Sequence, residues 1–174
     1  MAFPAELERL VMNVPDFPKP GIMFKDLTPI FLDPKAFSGL IDHLAERYRG
    51  QSLDAVVAIE SRGFVIGAPL AVALGVGLVL VRKPGKLPRP THRRTYALEY
   101  GTDTLEMHQD ALRPGARVLM VDDVLATGGT AKAVADLLGD AQAHLVEAAF
   151  VAELGFLSGR KRLAPTPVFA VLGY

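Results

Sequence analysis

Five short apolar runs limit the folds open to this chain. Residues 55–59, 78–81, 118–121, 145–151 and 168–172 are each of strand length, and strands that read as near-continuous apolar runs are covered on both faces, as in a largely parallel sheet. Stripes at helical spacing separate them. Phe37, Leu40, Ile41, Leu44 and Tyr48 form one, opened by Asp33-Pro34 and closed by Gly50; Ala131, Val134, Ala135 and Leu138 form another, ended by Gly139; Leu7, Leu10 and Val11 form a short first one. Helices alternating with buried strands predict an α/β domain with a mostly parallel central sheet flanked by helices, over 1–174 as a single domain.

One stretch competes with that reading. Residues 63–81 carry no charge over nineteen positions, a length that can span a bilayer. Pro69, four glycines and the Gly75-Val76-Gly77 break divide it instead into a buried helix, a turn and a strand, so no membrane association is expected. The first residues show no basic start followed by an apolar core, and a cytoplasmic setting is expected. The absence of cysteine removes disulfides and thiolate sites, and the four histidines have no metal-ligand spacing.

Residues 96–100 and 104–108 flank Gly101-Thr102-Asp103 and predict an antiparallel hairpin inserted into the α/β pattern. Two segments fit neither helix nor long strand. One is 13–29, broken by Pro15, Pro18, Pro20, Gly21 and Pro29. The other is 82–94, RKPGKLPRPTHRR, with six Lys or Arg and no acid. The whole chain balances nineteen basic against nineteen acidic residues; without this segment thirteen face nineteen. Neutrality excludes a polybasic nucleic-acid binder, and the separation suits one small, highly anionic substrate.

The chemistry concentrates in VLMVDDVLATGGT, 118–130. A buried strand ends in Asp122 and Asp123, and a small-residue turn, Ala126, Thr127, Gly128, Gly129 and Thr130, opens a helix. Ligands of open α/β sheets bind beyond the carboxyl ends of the strands. Such a turn offers unobstructed N–H groups, two hydroxyls and a helix N-terminus to a phosphate monoester. Carboxylates beside a phosphate repel it and need another partner, which a ribose diol supplies by donating to them. Phosphate and diol together describe a ribose 5-phosphate. Neither the Walker nor the Rossmann glycine pattern is present.

This segment resembles the phosphoribosyltransferases that use 5-phosphoribosyl-1-diphosphate (PRPP). The resemblance extends through FPKPGIMFKDLTP at 17–29, IESRGF at 59–64, RKPGKLP at 82–88 and YALEYG at 96–101, which are similar to the adenine-using branch. It implies the type I phosphoribosyltransferase fold, with 82–108 as a flexible hood. It implies that Ser61 and Arg62 bind pyrophosphate at a helix start, joined by Arg82, Lys83 and Lys86 from the hood. Glu99 is then the catalytic carboxylate, handling a proton at N7 of the base, with Tyr100 beside it. Met23 and Lys25 would read adenine through backbone groups, and Phe24 would form a wall. Lys25 stands where the family commonly has arginine, and 90–94 does not match the family pattern; the basic residues of 90–94 are expected to be solvated charges, and neither motif nor resemblance assigns Arg89 a role. The resemblance further implies Mg2+ carried mainly by PRPP rather than by direct protein ligands, a homodimer, and adenine and PRPP as substrates. Transfer to another purine, xanthine or hypoxanthine, and a non-catalytic PRPP or purine sensor of the same fold are the rival readings.

Overall fold

The structure is a computed structural model that describes residues 3–97 and 101–174. The chain divides into two compact units, 1–47 and 48–174.

In the first unit, helix α1 (Phe3–Glu8) leads to an antiparallel pair, β1 (Met12–Pro15) and β2 (Met23–Asp26). Leu10 and Val11 do not continue the helix as their spacing predicts. The Leu10 and Val11 N–H groups turn back to Leu7 O at 3.0 Å and Glu8 O at 3.2 Å, and the chain is extended from Met12, where pairing with β2 takes up the backbone groups. Helix α2 (Thr28–Leu32) follows, its start held by Asp26, whose carboxylate accepts from the Thr28 N–H and hydroxyl, both at 2.9 Å. Helix α3 (Pro34–Tyr48) begins where Asp33-Pro34 predicts. The Asp33 carboxylate accepts from Lys35 N–H and Ala36 N–H at 2.9 Å each, satisfying two amides that a helix start leaves open.

The second unit is built on a five-stranded, wholly parallel sheet in the order β4-β3-β7-β8-β9. Its strands are β3 (Ala55–Ile59), β4 (Gly77–Val81), β7 (Arg117–Leu125), β8 (His144–Glu153) and β9 (Val168–Gly173), one for each apolar run. Helix α4 (Arg62–Leu74) connects β3 to β4 and α5 (Gly129–Asp140) connects β7 to β8, while the short α6 (Arg160–Leu163) precedes β9. Every side chain of β3 is buried, and each such Val or Ile contributes about 1.5–3 kcal/mol by leaving water. The core runs through Val57, Ile59, Met120, Val134, Leu137 and Phe150. The 63–81 stretch resolves into α4, a left-handed Gly75 at φ 67° and β4. Among the described residues no helix is long and apolar enough to cross a membrane.

The run at 145–151 holds one acid, Glu147, and the β7–β8 register slips beside it, between Val118 and Leu119. Its carboxylate accepts from the Tyr48 hydroxyl at 2.6 Å, which gives a partly buried charge a partner.

The inserted hairpin is longer than its sequence suggests. Strands β5 (Thr91–Ala97) and β6 (Thr102–His108) pair from Thr91↔His108 to Ala97↔Thr102. Thr91–Arg94, read from sequence as loop, is therefore strand, and Thr102 and Asp103 belong to β6 rather than to the turn. The arginines here keep solvent-exposed side chains, as expected of solvated charges, and each also has an acidic partner. Arg89 pairs with Asp110 at 3.0 Å, Arg94 with Asp140 at 2.6 Å, and Arg93 with Glu106, which is only 3% exposed. A buried carboxylate needs such a partner, and all three acids lie outside the 82–94 run.

Candidate active site

The sheet has one point where strand order reverses. From β3 the chain passes through α4 to β4 on one side, and β7 later pairs on the other, so the carboxyl ends of β3 and β7 splay around a crevice where ligands of such sheets bind. A cavity of about 330 Å3 occupies it, lined at the β3–α4 junction by Glu60, Ser61 and Arg62, from β7 by Asp122 and Asp123, and by the turn 126–130.

Asp122 and Asp123 alternate across the strand and meet different surroundings. Asp123 is 4% exposed and accepts from Arg62 Nε. Asp122 accepts from the Asp123 N–H at 2.9 Å. Removal from water first, and then the neighbouring Asp123 charge, hold the Asp122 carboxyl well above the ordinary carboxylate range, against the pull of that N–H and of Arg62. The pair thus joins an ion-paired carboxylate to one whose ionisation burial and its neighbour oppose.

Beyond them, Gly128 caps α5 in the left-handed region at φ 80°. No side chain caps this helix start, so its first-turn amides remain open along the cavity they line. An added Cβ at Gly128 would lie 2.5 Å from Gly159 O, and one at Gly159 would lie 2.2 Å from Ala126 O. The turn therefore rests directly on the backbone that leads into α6.

A second open helix start faces the same cavity. Ser61 caps α4 without a side-chain capping bond, and the Glu60–Ser61 peptide is cis. Gly63 allows α4 to approach β7: a Cβ there would lie 2.8 Å from Val121 O.

The hairpin side contributes Lys83, Tyr96 and Asp103 to the lining. Lys83 Nζ pairs with Asp103 at 3.2 Å, and the Tyr96 hydroxyl lies 3.1 Å from Thr130 Oγ1. Arg82 and Lys86 do not line the cavity. Arg82 donates from Nε and Nη2 to the two oxygens of Glu60 at 3.2 Å each, and from Nη1 to Lys86 O at 3.3 Å. Burial works to raise the Glu60 pKa, but the Lys83 N–H and Arg82 outweigh it and hold the carboxylate below its usual range. Glu99 and Tyr100 lie outside the described residues. Met23, Phe24 and Lys25 form most of β2, in the first unit; Lys25 Nζ donates to Asn13 Oδ1 at 2.7 Å, and Phe24 stacks edge-on with Phe17 at 5.1 Å.

Sequence reasoning passed over Asp103, Glu106 and Gly159. The acids carry no motif, and their meaning lies in cations distant along the chain. A glycine before a basic turn, Gly159-Arg160-Lys161-Arg162, gives no local sign that it touches residue 126.

Comparison with known proteins agrees with this geometry. The phosphoribosyl transferase domain model matches residues 30–165. The adenine phosphoribosyltransferase of Chloroflexus aurantiacus is 57% identical over 169 residues, 97% of this chain and 98% of that protein. That of Syntrophotalea carbinolica is 54% identical, over 97% of this chain and 99% of its own length. The crystal structure of the Thermoanaerobacter pseudethanolicus adenine phosphoribosyltransferase superposes with a TM-score of 0.95 at 48% identity, covering 98% of this chain and 99% of that one. The Saccharomyces cerevisiae enzyme, crystallised with an imino-altritol bisphosphate and adenine, gives 0.93 at 45% identity, covering 98% and 99%. On sequence, fold and the arrangement around its cavity, the chain belongs to the phosphoribosyltransferase family, in the adenine phosphoribosyltransferase branch.

Proposed function

We propose that this chain transfers the 5-phosphoribosyl group of PRPP to adenine, forming AMP and pyrophosphate in purine salvage. The observation that carries the reading is the meeting, in one crevice, of two uncapped helix starts with the Asp122–Asp123 pair between them. Two polyanion sites flanking acceptors for a diol match a ribose that carries phosphate at one end and diphosphate at the other. The yeast relative, crystallised with adenine and a sugar-like bisphosphate, supports the substrate classes.

In this reading the 126–130 amides and the Thr127 and Thr130 hydroxyls hold the 5′-phosphate. Asp122 and Asp123 accept from the ribose hydroxyls. Ser61, Arg62 and Lys83 receive the diphosphate, so Arg62 exchanges Asp123 and Lys83 exchanges Asp103 for substrate oxygens. Arg82 and Lys86 order the loop that carries Lys83. The bond from C1′ to the diphosphate oxygen breaks as N9 of adenine bonds to C1′, and Glu99 takes the proton displaced from the base, with Tyr100 beside it. Cations fixed around the departing diphosphate stabilise the charge that develops there. Met23 and Lys25 offer backbone groups to adenine and Phe24 a wall, a role carried by the sequence resemblance.

Among the described residues no three His, Cys, Asp or Glu side chains converge on one point; of the acids at the cavity, Asp123, Glu60 and Asp103 already hold Arg62, Arg82 and Lys83, while Asp122 accepts from the Asp123 N–H. These donors suit a magnesium ion that arrives on PRPP oxygens and keeps water, with Asp122 and Asp123 as nearby acceptors. When bound, the ion offsets the diphosphate charge. The family resemblance also carries a homodimer and a cytoplasmic setting, which sedimentation and cell fractionation test.

Base competition tests the assignment. With PRPP and Mg2+, the purified chain should form AMP from adenine in the presence of equal hypoxanthine and xanthine. Preference for either 6-oxopurine defeats the adenine reading, and PRPP binding without pyrophosphate release indicates a sensor.

A further inference from the structure

We propose that Gly159 is a positioning residue for the phosphate cradle, acting through backbone contact alone. The inference rests on the reading of 126–130 as the 5′-phosphate site. Gly159 stands at φ −57°, ψ −34°, a conformation open to any residue, so its lack of a side chain answers to space and not to torsion. A Cβ there would meet Ala126 O at 2.2 Å and Gly128 N at 3.0 Å. Both atoms belong to fixed backbone, so alanine cannot be accepted by a rotamer change; the turn itself must move. The contact is mutual, since a Cβ on Gly128 would meet Gly159 O at 2.5 Å.

The support under the cradle is held from behind. Leu154 N–H donates to Leu125 O at 2.9 Å, directly before the cradle, and Gly155 N–H donates to Tyr174 O at 2.7 Å. Arg160 pairs with Glu153 and donates from Nη1 to Val168 O at 2.5 Å, while Leu163 is buried. The segment is thus anchored to the ends of β7, β8 and β9, and Gly159 is where that anchorage reaches the cradle. The amides at 128–130 can all point at one phosphate only while the turn keeps its path. The Ser61–Arg62 start of α4 makes no use of this support, so the two anion sites should separate on mutation.

The test titrates ribose 5-phosphate, and separately pyrophosphate with Mg2+, into the full chain and its Gly159→Ala, Arg160→Ala and Gly139→Ala variants. Gly139 is the control, because a Cβ there meets nothing within 4 Å. Gly159→Ala should bind ribose 5-phosphate about tenfold more weakly, the worth of one misaligned charge-assisted hydrogen bond, with pyrophosphate affinity within about twofold of wild type. In turnover, KM for PRPP should rise while KM for adenine holds. Arg160→Ala, which loosens the support without adding an atom, should show the same selectivity at about threefold, and it decides the matter if Gly159→Ala does not fold. Unchanged ribose 5-phosphate affinity in the folded variants, or equal loss of both ligands, overturns the proposal. A wild-type chain that binds no ribose 5-phosphate defeats the underlying reading and the proposal with it, an outcome distinct from variants that match a binding wild type.

Discussion

Arg62, the first residue of α4, donates to the carboxylate of Asp123 at the end of β7, joining a half-exposed cation to a carboxylate whose side chain is 6% exposed. Without substrate, the cation proposed for the diphosphate and the acid proposed for the ribose neutralise each other. Removing Arg62 strands a buried charge. Because the arginine itself is half in water, Arg62→Ala should destabilise the protein by about 1–2 kcal/mol, below the cost of breaking a fully buried pair. Urea denaturation reads this, and unchanged stability would mean that the pair holds nothing.

Asp122 gives a pH dependence of opposite sign to the usual acid. Its folded pKa lies above the ordinary 3.8, so between those values the folded state holds more protons than the unfolded chain, and stability falls as pH rises through the window. Asp122→Asn, which keeps the shape without the ionisation, should raise Tm at pH 7 and leave it little changed at pH 3, while weakening PRPP binding. A Tm at pH 7 below that of wild type would refute the destabilising role.

Glu106 secures the base of the hairpin. Its carboxylate accepts from Arg93 Nε at 2.8 Å and from the Gly85 N–H at 3.1 Å, and its backbone exchanges bonds with Arg82 at 2.7 and 2.9 Å. Glu106→Ala leaves the Arg93 guanidinium and the Gly85 N–H without this acceptor and should cost about 2–3 kcal/mol, whereas Glu106→Gln keeps an acceptor and should cost less. Equal costs would indicate lost packing instead of lost polar contacts.

Tyr96 joins the hairpin to the phosphate turn through Thr130, and burial raises its phenol pKa. Tyr96→Phe should lose about 0.5–1.5 kcal/mol in stability, as for a single neutral hydrogen bond, and raise KM for PRPP more than KM for adenine. A change confined to adenine would place the hydroxyl in another role.

The sheet was legible because burial on both faces leaves an unbroken apolar run, as at Val56, Val57 and Ala58. The Asp122–Thr130 segment was legible because its chemistry is contiguous, with carboxylates, bare amides and hydroxyls all within nine positions. The hairpin's first strand was obscured since His92, Arg93 and Arg94 look like a solvated loop until Glu106 and Asp140 fold against them. Gly159 was silent for the same reason: its partner is thirty-three positions away, and a contact of two backbones leaves no side-chain pattern. Leu10 and Val11 fit a helical stripe that the turn into β1, paired with β2 farther along the chain, overrode.

The central claim is that binding and chemistry divide between the β7 carboxylates and the hood acid. Initial rates of AMP formation at varied PRPP and saturating adenine test it most directly, on wild type, Asp123→Asn and Glu99→Gln. Asp123→Asn should raise KM for PRPP by about tenfold or more, with Glu99→Gln lowering kcat by about a hundredfold at nearly constant KM. Equal effects of the two substitutions on both constants, or AMP formation untouched by either, would contradict it.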